Sequence, residues 1–297
     1  MIKINEANLV EISVSGEIFA PEWPKALYQV DEEGRVFVLP GPGGIHYNLR
    51  VGDRAYGWAA WHPEPGASVR NPDGEANVAL GVLACVGNRA IMTSGEAEGE
   101  TGVVVGKGRN LAWAEGYPDK YHVILHFAKP VLDRLGIGDK VLIRARGYGL
   151  SVEGHPDVMV KNCSPELIAA LGLEEDGDGR LAVPAVAKIP SVMMGMGAGL
   201  DPETGAHDIA VHDSRRRTEL GIADLRIGDV VALEDQDHRY GRVYRKGAVT
   251  VGTVSYGDSP SPGCGPGVTT LLTCPAEGLR VRLEESANLI RYLRLEG

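Results

Sequence analysis

One five-residue pattern occurs three times: Leu49-Arg-Val-Gly-Asp53, Leu135-Gly-Ile-Gly-Asp139 and Leu225-Arg-Ile-Gly-Asp229. In each, a Gly-Asp pair follows a branched apolar residue. Glycine is free to take φ > 0, and aspartate can bond its own downstream backbone, so the pair makes a turn. The second and third copies lead into valine-rich runs, which marks the pattern as the start of a strand. Three such starts predict a mainly β fold and give Asp53, Asp139 and Asp229 structural work. Their spacing is too irregular for a solenoid or propeller.

The rest of the chain agrees with short strands and few helices. Alternation at Val10, Ile12 and Val14 reads as a strand, as do Arg35–Leu39, Tyr121–Phe127, Val141–Ala145, Val183–Ile189 and Ala248–Tyr256. On Tyr121–Phe127 the two histidines, His122 and His126, share a face expected to be solvated or at an edge. Residues 76–92 read as a buried helix leading to a strand at Asn88–Met92. The clearest helix is Ser164–Leu171, with Ser164 as N-cap, Pro165 first in the helix, and Leu167, Ile168 and Leu171 as its apolar face. The fold class expected is a small barrel or sandwich-like β structure. A seam near residue 130 would divide it into β-rich domains at 1–130 and 131–297.

Charge and cysteine usage narrow the function. A formal charge of −10 disfavours a nucleic-acid partner, since phosphate contacts need a basic surface. The four cysteines form no CxxC pair, which fits a reducing compartment. Neither a signal peptide nor a membrane-length apolar run is evident, so a cytoplasmic location without a membrane partner is expected. A homo-oligomer fits a fold that must cover its edge strands.

Ile227–Thr270 concentrates the groups capable of chemistry. If its first strand ends near Glu234, the following turn gathers Asp235, Asp237 and His238. Carboxylates with one imidazole suit Mg²⁺, Mn²⁺ or Zn²⁺, whereas the bland reading is a solvated turn paired to Arg239, Arg242 and Arg245. The strand Ala248–Tyr256 delivers Asp258 and Ser259 to its end, where Cys264, Gly265 and Gly267 form a Gly-Pro-Gly loop able to nest an anion. Gly41–His46, with Gly43, Gly44 and His46, has the same character, and the two loops are candidates to line one pocket. Trp58, Trp61, His62 and Glu64 form a second candidate wall. His207, Asp208, His212 and Asp213 cluster without a recognisable motif. Gly102–Gly108 lacks P-loop spacing, and no G-x-S-x-G or dinucleotide fingerprint occurs.

The blocks GPGGIHYNLRVGDRAYGW, WHPEPG, GVVVGK, LRIGDVVALEDQDHRYGRVYRKGAVTVG and GCGPGVTTLLT together resemble a bacterial and archaeal family of conserved proteins of unknown function. The resemblance spans about residues 40 to 273 and implies a β-rich fold in two connected parts. It implies no reaction, substrate or cofactor. It also implies histidine at the position of Cys264 in many members, so a thiol, itself a metal ligand, replaces an imidazole here.

The reading taken forward is a metal-assisted hydrolase or lyase acting on a small polar metabolite. Asp235, Asp237, His238 and Asp258 are the expected ligands of a divalent metal (zinc, manganese or magnesium). Cys264 and His46 are the expected catalytic groups. Gly43, Gly44, Ser259, Gly265, Gly267 and Arg242 are expected to bind the small-molecule ligand. The alternatives are a non-catalytic protein that binds a small molecule or anion, and a structural β oligomer.

Overall fold

The computed structural model describes residues 2–21, 23, 27–109, 121–196 and 201–296. The three Gly-Asp turns are built alike. Gly52, Gly138 and Gly228 sit at φ of +97°, +90° and +88°, the left-handed region that the pattern's glycine is there to supply. Each aspartate reaches back rather than forward: Asp53, Asp139 and Asp229 accept from the amides of Arg50, Gly136 and Arg226 at 2.8, 2.7 and 2.7 Å. The carboxylate thereby closes the turn from inside and leaves the next amide free for the strand. The first and third turns lie side by side, Gly52 N–H donating to Ile227 O at 2.8 Å and Ile227 N–H to Asp53 O at 2.9 Å.

The second turn feeds a closed antiparallel barrel. Its six strands run Ile12–Ile18, Lys140–Ala145, Arg89–Met92, Thr101–Arg109, Tyr121–His126 and Gly66–Arg70. Closure comes from Ile12–Ile18, which pairs Lys140–Ala145 on one side and Gly66–Arg70 on the other, through Glu17 opposite Arg70 and Ile18 opposite Val69. A barrel of this size is filled by its own side chains. Here Val14, Val69, Met92, Val104, Val123, Leu125 and Ile143 fill it together with Leu80 from the helix Gly74–Leu83. The barrel takes in Lys140–Ala145, so the sheet runs across the seam expected near residue 130.

The third turn feeds the second sheet, ordered Met159–Val160, Gly267–Cys274, Val243–Tyr256, Val230–Asp237 and Ala187–Ile189, with His207–Asp208 on the flank of Gly267–Cys274. Val230–Asp237 does not stop at Glu234 as expected. It passes a bulge in which Asp235 takes φ +56°, and pairing resumes with Gln236 opposite Tyr244. The helix Pro165–Ala170 matches expectation, with Ser164 capping the Leu167 amide at 3.1 Å. Helices are few and short, the longest having 10 residues, and the structure is mainly β. Among the described residues, no helix is long and apolar enough to cross a membrane.

The two sheets meet along the strand Thr101–Arg109. A Cβ on Gly106 would fall on Ser255, so the backbones pack directly there, and the Lys107 amide donates to Thr269 Oγ1 at 3.1 Å. The Lys107 side chain is fully buried, and burial pushes it down to about 8. Its ammonium donates to Asn162 Oδ1 at 2.6 Å, Glu203 O at 2.6 Å and Val82 O at 3.1 Å, so all three of its protons are taken within the protein. The lysine of the discarded phosphate-loop fragment is a clamp between halves.

Candidate functional site

Three strands place the centre of the site by register alone. Gly267 lies opposite Tyr256 on one side and opposite Asp208 on the other. A side chain at the middle position would separate its neighbours; a Cβ on Gly267 would fall inside the Tyr256 ring. With hydrogen there, the ring lies across the glycine and Tyr256 Oη donates to Asp208 Oδ1 at 2.8 Å. Gly265 permits a second close approach, its missing Cβ leaving room for the Ile209 carbonyl.

Into this row comes the segment Trp61-His62-Pro63. It is stitched down by Trp61 N–H to Pro40 O at 2.8 Å, His62 N–H to Asp258 O at 3.1 Å and Gly257 N–H to Pro63 O at 2.9 Å. His62 takes φ +49°, in the left-handed region that non-glycine residues seldom adopt. Its ring stands edge-on to Tyr256 at 5.1 Å between centroids, and its Nε2 lies 3.7 Å from Asp208 Oδ2. Cys264, on the loop after Tyr256, completes a group whose ligand atoms (one each from His62, Asp208 and Cys264) all lie within 4.8 Å of one another.

Burial leaves this group without charge. Burial pushes Asp208 up to about 8, against the bonds from Tyr256 and the Gly265 amide. It pushes His62 down to about 4, against the charge of Glu64 and the carbonyls of Gly257 and Gly265. It pushes the Cys264 thiol up to about 12, with Asp208 adding to the rise and the Ser259 hydroxyl opposing it. Nδ1 of His62 is buried without a hydrogen-bond partner.

A second buried cluster adjoins the first in sequence and in charge. The rings of His207 and His238 are 5.5 Å apart. His238 is fixed by threonines: its Nδ1 is 2.8 Å from Thr270 Oγ1, its amide donates to Thr273 Oγ1 at 3.0 Å, and Thr273 is held by Thr250 at 2.8 Å. Arg242 is buried and donates to Gly205 O at 2.9 Å. Burial, then the Arg242 charge, depress both imidazoles, His207 to about 3 and His238 well below its ordinary value.

The expected metal ligands are not gathered into one group. Asp235 accepts from the Gly247 amide at 2.7 Å in the hairpin bulge. Asp237 is largely covered and is paired with Arg239 at 2.9 Å and Arg245 at 3.6 Å. His238 turns inward to the threonines. Asp258 lies by Arg217 at 3.7 Å, in the wall of a cleft of about 570 Å³ that also includes Tyr56, Trp58, His212 and Ser259. Of the expected catalytic pair, Cys264 is in the three-residue group and His46 is outside it. His46 is depressed by burial, and its Nδ1 is unpartnered. Ser259 stands beside Cys264. The expected ligand-binding glycines have packing duties: Gly43 and Gly44, at φ +90° and +76°, lie against the Phe19 ring and Pro21.

The wall suggested by Trp61, His62 and Glu64 divides in two. His62 faces Asp208, and Glu64 faces His122, with Glu64 Oε1 to His122 Nε2 at 2.5 Å and further bonds from Ser68 Oγ at 2.5 Å and the Gly43 amide at 3.0 Å. His122 is therefore buried and paired, and His126 is buried with Nε2 3.0 Å from Glu296 O, contrary to the solvated face expected for both. The pair reaches across Gly108, which lies opposite His122, so the glycine device of the Tyr256 row is used a second time. His62 and Asp208 were visible only as one histidine in a stiff Pro-Glu-Pro context and one acid in an unpatterned cluster.

Among solved structures, the chain matches one titled "Crystal structure of TM1086", with 42% identity, a TM-score of 0.90 and 98% of each chain covered. No curated protein matches it. Residues 28–169 match the family described as "Domain of unknown function (DUF4438), N-terminal", and residues 170–293 match the corresponding C-terminal domain. The two matches meet between residues 169 and 170, at the end of the helix Pro165–Ala170. The chain belongs to this two-part family of unknown function.

Proposed function

We propose that His62, Asp208 and Cys264 hold a single divalent metal, with zinc the best match, and that the protein uses it for hydrolysis or elimination on a small polar molecule. The observation that carries this is the buried three-residue group itself, whose ligand atoms lie within 4.8 Å of one another. An imidazole nitrogen, a carboxylate oxygen and a thiolate are zinc's usual donors, and three protein ligands with one open position is the pattern of a catalytic site. Metal would replace the protons that burial keeps on Asp208 and Cys264. Tyr256 holds Asp208 by Oδ1 and so leaves Oδ2 toward His62, the outer support a metal-binding carboxylate needs. A metal there polarises a carbonyl or activates a water. Four free, buried cysteines fit the cytoplasm as the place of work.

Metal analysis of the purified protein tests the reading. Stoichiometric zinc is expected in the wild type and in Asp235→Ala. It should be lost in Cys264→Ala and in Asp208→Asn, with both variants folded by circular dichroism. Wild-type protein that takes up no metal after reconstitution would remove the proposal. So would a zinc content equal to the wild type's in Cys264→Ala and Asp208→Asn.

A further inference from the structure

We infer that His207, His238 and Arg242 form a subsite for an oxyanion beside the His62–Asp208–Cys264 group, so that the molecule handled there is a small carboxylate or phosphate. This rests on the metal reading only for its position next to the reacting atoms; the subsite is argued from its own geometry.

Nε2 of His238 and Nδ1 of His207 are both buried without a hydrogen-bond partner. His238 has no exposed surface and His207 has 3%. A buried polar atom left unmatched costs about 1–3 kcal/mol, and nearly all such atoms in folded proteins find a partner. Two on neighbouring rings, tilted by 42° with centroids 5.5 Å apart, indicate a missing acceptor beside them. The cost is also built in deliberately, because His238 cannot turn to relieve it. Thr270 holds its other nitrogen, Thr273 holds its backbone, and Thr250 holds Thr273 while donating to Gln236 O at 2.7 Å.

The charge in this region identifies the acceptor. Arg242 acts on both imidazoles and on Asp208, and its own buried guanidinium is anchored at Gly205 O. Lys161 adds positive charge near His238, although its ammonium is ion-paired with Glu203. A neutral imidazole can present N–H to an acceptor at either nitrogen. Two such donors beside a guanidinium suit an oxyanion, with the guanidinium supplying the counter-charge. His207 and Asp208 are consecutive on one strand, so their side chains leave it on opposite faces; Arg242, whose charge acts on Asp208 as well as on both imidazoles, links the subsite to the three-residue group.

The test is calorimetric titration with inorganic phosphate and, separately, with acetate. It uses the zinc-loaded wild type, His238→Phe, Arg242→Gln and the metal-free Cys264→Ala protein. His238→Gln, which retains a side-chain donor, serves as a rescue. Saturable binding of at least one probe is expected. His238→Phe and Arg242→Gln should weaken it at least about tenfold with zinc content unchanged, and His238→Gln should recover part of the loss. Phosphate alone would place the ligand among phosphorylated molecules, and acetate alone among carboxylates. Binding that persists in Cys264→Ala supports the subsite whatever becomes of the metal. No saturable binding of either probe overturns the subsite and makes the two nitrogens partners of water only. Binding that requires zinc and ignores both substitutions also overturns it, because the anion then sits on the metal, and the metal reading survives.

Discussion

Replacing Gly267 by alanine tests how the site is assembled. The new Cβ would fall inside the Tyr256 ring, far within the ~3.5–4.0 Å of carbon–carbon contact. Both residues sit in the core of the sheet, so the ring cannot simply swing into solvent. Overpacking of this kind costs about 1–3 kcal/mol. Displacing the ring also breaks the bond from Tyr256 to Asp208 and leaves a buried carboxyl unmatched, for about another 1–3 kcal/mol. The expected loss is therefore roughly 2–6 kcal/mol, read from urea unfolding. The structure also says where that cost resides. In a Tyr256→Ala background the obstruction is gone, and alanine at 267 should be neutral, or stabilising by up to about 1 kcal/mol through the unfolded chain's lost freedom. The cycle thus predicts a coupling nearly as large as the single-mutant loss. An equal cost for Gly267→Ala with and without Tyr256 would refute the argument, because the glycine would then be needed for its backbone and not as a passage for the ring.

The second glycine row makes a parallel prediction. Gly108→Ala should push His122 off Glu64 and destabilise by roughly 3–5 kcal/mol in urea, the cost of breaking a buried pair. Asp229 makes a prediction about pH: burial raises it to about 6, against the bonds from Asn288 and the Arg226 amide. The folded chain then keeps a proton that the unfolded chain has lost. The contribution of Asp229 to stability should fall by up to about 3 kcal/mol as pH rises from about 4 to about 6, and stay constant above that. Other buried groups titrate in the same range, so the contribution is read as the difference between wild-type and Asp229→Asn unfolding curves at each pH.

What the chain shows openly is what it encodes locally. The Leu-x-Ile-Gly-Asp pattern predicted turns because glycine's φ and aspartate's reach are properties of a few neighbouring residues, and all three turns are there. Ser164-Pro165 predicted a helix start for the same reason. The direction of the Asp bond was missed, since both directions satisfy the same short side chain. The burial of His122 and His126 was missed because alternation says which residues share a face and not whether that face is covered. In a closed barrel packed against a second sheet, both faces of Tyr121–His126 are buried. The barrel recruits Lys140–Ala145 from beyond residue 130, a long-range pairing that no local signal announces.

The proposed group was only partly legible in the sequence, for a physical reason. Density of charge along the sequence pointed to Asp235, Asp237 and His238, which are close because one strand carries them through a bulge to its end. There each is answered: Asp237 by two arginines, Asp235 by a backbone amide. Charge so answered has little left to offer a ligand. His62, Asp208 and Cys264 were each noticed in the sequence, but they come from positions far apart, so nothing local joins them into one group. Pairing of three strands around Gly267, and a histidine stitched to the strand that carries Tyr256, bring them together. Burial then leaves them with protons a cation would displace. A fold can keep such a group only if its neighbours over-determine it, and here they do: Tyr256 fixes Asp208, Gly267 admits Tyr256, and the backbone of Asp258 holds His62. In this chain the glycines that carry no chemistry, Gly265 and Gly267 above all, thus decide which side chains can meet.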